Sequence, residues 1–165
     1  MTAASVGSLQ DAFKTAMASV CTPVAVVTAM DEDRPHGTTV SAFASLSMLP
    51  PSLLVSLDQG SEVLALLRRT GRFGLNILGH DQAALATGFA RKGSGKFAGV
   101  PWSLADGVPR LTGSPGWVAC EVGQTVEAAD HVLVIGMVSS VETVDGAPLT
   151  YHARRFGTHR ILGES

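Results

Sequence analysis

The sequence predicts a mainly β fold, a barrel with two or three short helices added. Three observations lead there. Apolar runs such as Val24-Ala25-Val26-Val27 and residues 132–138 have the length of strands. Polar stretches carrying proline or glycine, residues 31–37 and Pro50-Pro51, punctuate these runs. Strands and helices do not alternate regularly, which argues against a doubly wound parallel sheet and for a barrel with helical additions.

Residues 1–7 are small and polar and predict a loose tail. Ser8, with Asp11 three residues on, predicts a helix start, because the Ser oxygen accepts from an orphan backbone N–H. That helix runs to about Val20 and places Leu9, Phe13, Ala16, Met17 and Val20 on one side; Pro23 marks its end. Residues 24–30 are rich in β-branched residues and form a strand. Residues 31–37 form a turn, and a second strand runs from Thr38 to about Ser47. Pro50-Pro51 ends it, and residues 53–57 give a third strand. Ser61 caps a short helix through Arg69; Arg68 and Arg69 suit its negative end, and Gly71 closes it. A strand over 73–78, a helix over 81–91 and a loop over 93–99 follow. Strands at 108–111, 117–127 and 131–144 and a closing segment at 148–151 complete the chain.

At 165 residues the chain has the size of one domain, read here as spanning 1–165. It can bury roughly 70 % of its unfolded surface and needs no disulfide or metal staple. The hydrophobic fraction of 45 % is high for a soluble monomer, so the excess fills either a large core or an oligomer interface. The net charge of −2 lacks the basic footprint of a nucleic-acid binder. No run approaches the ~20 apolar residues of a membrane span. The N-terminus has no basic, then apolar, secretory pattern. Cys21 and Cys120 are isolated from each other and predict two buried free thiols. Together these imply a cytoplasmic protein.

The commonest enzymatic signatures are missing. Gly93-Ser94-Gly95 lacks the third glycine of a dinucleotide fingerprint, and Gly95-Lys96 is followed by Phe97 instead of Ser or Thr. There is no G-x-S-x-G elbow. The histidines at 36, 80, 131, 152 and 159 share no helix face at zinc-ligand spacing, so no metal site is expected.

The most unusual stretch runs from His36 to Pro51. It sets Thr38, Thr39, Ser41, Ser45 and Ser47 in an apolar strand region. Hydroxyls and backbone N–H groups at a strand end can bind a planar heterocycle with carbonyl oxygens and a phosphate tail. An ordinary strand also tolerates Ser and Thr, and residue chemistry alone leaves both readings open.

Seven short motifs in order resemble the flavin reductase-like, FMN-binding split-barrel family, in particular the small reductase component of two-component flavin monooxygenases. They are Pro23-Val24-Ala25-Val26-Val27-Thr28, His36-Gly37-Thr38-Thr39-Val40-Ser41-Ala42-Phe43, and Ser45-Leu46-Ser47 with Pro50-Pro51. Phe73-Gly74-Leu75-Asn76-Ile77-Leu78 and Phe89-Ala90 with Lys96-Phe97 follow. Ala129-Asp130-His131 with Ile135-Gly136-Met137-Val138, and Pro148-Leu149-Thr150-Tyr151, complete the set. Each is weak alone; the order and spacing over nearly the whole chain make them specific.

The resemblance implies an antiparallel, Greek-key-like split barrel and a homodimer with FMN or FAD at its interface. Thr38, Thr39, Ser41, Ala42, Ser45, Leu46 and Ser47 would line the ring and ribityl chain. Asp58, Ser61 and Glu62 would approach the phosphate side, where a helix N-terminus suits an anion. Arg91 and Lys96, beside Phe97, would supply positive charge there. His131 would be the catalytic residue on the nicotinamide side, and His152 and Arg155 would contact that second cofactor. The family carries Gly where this chain has Ala129, which bears on the local loop geometry. The implied activity is hydride transfer from NADH or NADPH to flavin, with reduced flavin passing to a partner monooxygenase. Two alternatives are an FMN-dependent oxidase of the pyridoxamine-phosphate type and a non-catalytic flavin- or haem-binding module.

Overall fold

In the computed structural model, which describes residues 3–163, three helices and twelve strands follow in order. They are α1 (Ala3–Ala18), β1 (Thr22–Pro23), β2 (Ala25–Asp31), β3 (Arg34–Val40), β4 (Phe43–Met48), β5 (Pro51–Asp58) and α2 (Glu62–Thr70). β6 (Arg72–Ile77), α3 (Ala83–Ala90), β7 (Trp102–Ala105), β8 (Val108–Leu111), β9 (Gly116–Ala128), β10 (His131–Thr143), β11 (Leu149–His152) and β12 (Arg155–Thr158) complete the described chain.

Seven strands form one sheet in the order β3-β2-β6-β9-β10-β5-β4, with antiparallel pairing throughout. Its two edges, β3 and β4, are consecutive in the chain and joined only by Ser41 and Ala42. The sheet therefore curls until its edges meet at one corner, with no ladder between them, which is a barrel with a split. Ser56 N–H donates to the Ala42 carbonyl across that corner at 2.9 Å.

The expected single strand from Thr38 to Ser47 is broken here. Val40 pairs with Ala25 of β2, whereas Phe43 pairs with Val55 of β5. A chain that changes partners in this way must bend, and the small exposed pair Ser41-Ala42 takes the bend. The expected turn over 31–37 shrinks to Glu32-Asp33, because Asp31 already pairs with Arg34. Pro35 is tolerated because β3 is an edge strand. Gly37 is required by its neighbour: an added Cβ would lie 2.7 Å from the Phe89 ring.

β2 is buried on both faces, which accounts for its unbroken apolar run. Ala25, Val27 and Ala29 join the main core with Val55, Leu57, Phe73, Leu75, Val132, Val134 and the buried face of α2. Val24 and Val26 face the other way, toward Leu78, Ala86, Phe89, Leu111 and Leu149. α2 has the expected caps: Ser61 Oγ accepts from Leu64 N–H at 3.4 Å, and Gly71, at φ 72°, donates to the Leu67 carbonyl at 2.9 Å.

Several expectations need correction. α1 begins at Ala3, so Ser8 does not cap it and residues 3–7 are helical; Met1 and Thr2 lie outside the described residues. It ends at Ala18, short of the expected Val20; its apolar side lies open, with Leu9 60 %, Phe13 62 % and Met17 48 % exposed, and Val20 just beyond it is 46 % exposed. Cys120 is buried, and burial pushes its thiol up to about 12, so it is inert. Cys21 is exposed, because it lies in the link between α1 and β1 outside the core. The short strands β1, β7 and β12 were not expected. No described helix is long and apolar enough to cross a membrane.

Candidate functional site

A cleft of about 630 Å³ opens between three walls. Residues 34–38 of β3 form the first. Asp58 and residues 60–63, the end of β5 and the start of α2, form the second, and the glycine-rich loop 90–97 forms the third. Positive φ at Gly93 (101°) and Gly95 (79°) lets this loop fold back, and an added Cβ there would meet nothing.

The cleft's charges divide into spent and free. Arg34 pairs with Asp31 at 3.2 Å. Lys96 Nζ donates to the carbonyls of Gly37 and Phe89, each at 3.1 Å. Burial lowers its pKa, and the carboxylate of Glu62 opposes that shift. Arg91 and Lys92 are exposed and form no ion pair among the described residues. The first-turn N–H groups of Glu62 and Val63 likewise have no protein acceptor among the described residues. His36 Nδ1 stands 4.0 Å from Glu62 Oε2. Two unpaired cations and two unpaired backbone donors fit a phosphate group, while the carboxylates of Asp58, which accepts from Gly60 N–H, and of Glu62 line the same cleft.

Of the residues anticipated from sequence, Thr38, Asp58, Ser61, Glu62, Arg91, Lys96 and Phe97 line this cleft. The others lie elsewhere. Thr39 Oγ1 donates to the Ala86 carbonyl at 2.7 Å, tying β3 to α3. Ser41 lines a second hollow of about 410 Å³ with Lys14, Tyr151 and Arg154. Ala42, Ser45 and Leu46 are exposed at the barrel's open edge, and Ser47 Oγ accepts from Leu49 N–H at 3.2 Å. His152 and Arg155 pair across the β11–β12 hairpin and are exposed. The hydroxyl-rich segment is thus open to solvent along β4, not sealed in the core.

His131 lies outside the cleft lining but pairs directly with Asp58, a wall residue, across the β5–β10 ladder. Its Nδ1 is 2.9 Å from Asp130 Oδ1, and its side chain is 44 % exposed. The hydrogen bond and charge of His131 hold the Asp130 carboxyl below the usual carboxylate range. Sequence reasoning missed Lys92, Gly60 and the residues at 34–37 as wall residues. For Lys92 the signal was present: it adjoins Arg91 at the start of the glycine loop.

Comparisons with known proteins place the chain in a family. The chain is 36 % identical over 160 residues to a probable flavin reductase of Rhizobium meliloti, covering 96 % of this chain but only half of that protein. It is 35 % identical over 148 residues to the NADH-dependent flavin reductase StyB of Pseudomonas fluorescens, covering 87 % of this chain and 86 % of that one. The solved styrene monooxygenase flavin reductase of Pseudomonas putida S12 superposes with a TM-score of 0.84 at 35 % identity, over 90 % of this chain and 97 % of that one. The model of the flavin reductase like domain matches residues 17–160. With that span of the chain matched, and the split barrel shared, the protein belongs to the flavin reductase-like family.

Proposed function

We propose that this protein is an NAD(P)H:flavin oxidoreductase that reduces FMN or FAD and supplies the reduced flavin to a partner monooxygenase. The observation that carries the reading is the junction of two features. A phosphate-fitting cleft with unpaired Arg91 and Lys92 lies at one end of β3, and an open, hydroxyl-bearing edge begins where β3 ends.

In this reading Arg91, Lys92 and the start of α2 hold the flavin phosphate. The 38–47 segment then supports the ring. When bound, the flavin supplies the acceptor for the two electrons and proton equivalent of the nicotinamide hydride. The protein's task is to hold two flat rings face to face, and such positioning can contribute up to ~7–11 kcal/mol. His131 orients the nicotinamide, with His152 and Arg155 on the second cofactor's side.

A second copy of the chain completes the assembly as a homodimer. The open apolar stripe of α1, Leu9, Phe13 and Met17, with Val20 just after the helix, supports this, because contiguous exposed apolar surface marks an interface. The free thiols Cys21 and Cys120 suit the cytoplasm.

Steady-state oxidation of NADH and of NADPH with FMN, FAD and riboflavin tests the reading. Oxidation should depend on added flavin and favour the phosphorylated forms. Flavin-independent oxidation, or none with any flavin, overturns it.

A further inference from the structure

We propose that Gln59 is a positioning residue, which fixes the turn from which His131 projects. β9 and β10 are joined by Ala129 and Asp130 alone, since Ala128 pairs with His131. Ala129 sits at φ 54°, a left-handed conformation that an alanine resists. Of the two loop residues only Ala129 has positive φ, and two-residue hairpin loops that need it at the first place favour glycine there, where this chain has alanine.

The turn is held from outside the hairpin. Gln59 N–H donates to the Asp130 carbonyl at 3.0 Å, and Gln59 Nε2 donates to the Ala129 carbonyl at 2.8 Å. Both carbonyls of the turn are therefore occupied by one residue. Nε2 also donates to Glu127 Oε2 at 3.1 Å, while the other Glu127 oxygen accepts from Arg68 at 2.5 Å. Gln59 follows Asp58, the wall residue opposite His131 in the ladder. It thus ties the His131 turn to the cleft wall. Gln59 is exposed and outside the core, so its side chain can be removed without a packing cost.

The functional consequence rests on the reading of His131 as the nicotinamide-side residue, and two measurements keep the questions apart. The first is NMR, which needs no substrate: the titration of the Asp130 carboxyl and the chemical shifts of the His131 ring. Gln59→Ala should move both, and Ala129→Gly in that background should restore them in part, because glycine accepts the left-handed turn unaided. The second is flavin-dependent NADH oxidation. Gln59→Ala should raise KM for NADH roughly 5-fold, the scale of one net hydrogen bond, with KM for flavin within about 2-fold. Unchanged Asp130 and His131 resonances in Gln59→Ala overturn the proposal. If His131→Ala itself leaves KM for NADH and kcat unchanged, the nicotinamide reading fails, and the NMR titration still decides the role of Gln59.

Discussion

Lys96 donates its ammonium protons to the carbonyl of Gly37 at 3.1 Å, closing the glycine loop onto β3. With the Phe89 carbonyl also satisfied, this lysine is a tether between three segments. Lys96→Met would leave two part-buried carbonyls without a donor. Hydrogen bonds to charged groups contribute ~1.5–3 kcal/mol, and partial exposure puts the expected loss toward the lower end. Urea denaturation should show that loss, and limited proteolysis should cut the 91–97 segment faster. Unchanged values for both would mean that the tether is dispensable.

The unpaired cations carry a different expectation. Replacing Arg91 and Lys92 by Ala removes charge from the cleft and leaves every ion pair among the described residues intact. KM for FMN should rise by roughly 10-fold or more, as expected for losing a charge-assisted contact. KM for riboflavin, which lacks the phosphate, should change little. An equal rise for both flavins would remove the phosphate from this cleft.

The contrast between Lys96 and Arg91 shows where sequence reading stops. Both are loop cations on one glycine-rich segment, and nothing in residue type separates them. Only the fold reveals that Lys96 is spent on carbonyls while Arg91 is free. Local signals read well: Ser61 and Gly71 cap α2 because their hydrogen bonds lie within a few residues. The break at Ser41-Ala42 was illegible, since it arises from the exchange of β2 for β5 as pairing partner. The start of α1 at Ala3 was missed for the opposite reason. A cap signal at Ser8 outweighed the helix propensity of Ala3 and Ala4, which needs no cap to extend.

Gly136 faces the buried ring of Phe73. An added Cβ would lie 2.5 Å from Phe73 Cζ and 2.8 Å from Cys120 Cβ, in the middle of β10. Overpacking of this kind costs ~1–3 kcal/mol, and neither neighbour is the free end of a flexible chain. Gly136→Ala should lower the denaturation midpoint, and adding Phe73→Leu should recover part of the loss. Additive losses in the double variant would show that the strain lies elsewhere.

Arg154 offers a stabilising substitution. The β11–β12 hairpin turns through Ala153 at φ 49° and Arg154 at φ 62°, both left-handed. L-residues with side chains pay ~1–2 kcal/mol for that conformation, and two-residue turns of this type favour glycine at the second place. Arg154→Gly should raise stability by about 1 kcal/mol, less the entropy glycine adds to the unfolded chain. A drop in thermal midpoint would show that the Arg154 side chain holds the hairpin through contacts worth more than the strain.

Asp130 supplies the pH dependence. Its carboxyl is held below the usual range, first by the hydrogen bond from His131 and then by the imidazolium charge. A depressed carboxyl pKa means that the folded state binds a proton less readily than the unfolded one. Its contribution is fully present above the unfolded-state pKa and is lost as pH falls through the lower folded value. The window therefore lies at and below the ordinary carboxylate range, well under neutral pH. His131→Gln keeps a hydrogen-bond donor but removes the charge. The Asp130 carboxyl, followed by its ¹³C shift, should then titrate at a higher pH than in the parent protein, while still below an unpaired aspartate. His131→Ala should bring it the rest of the way. If both variants leave the Asp130 titration where it was, the depression has another source, and His131 is not held by the carboxylate beside it.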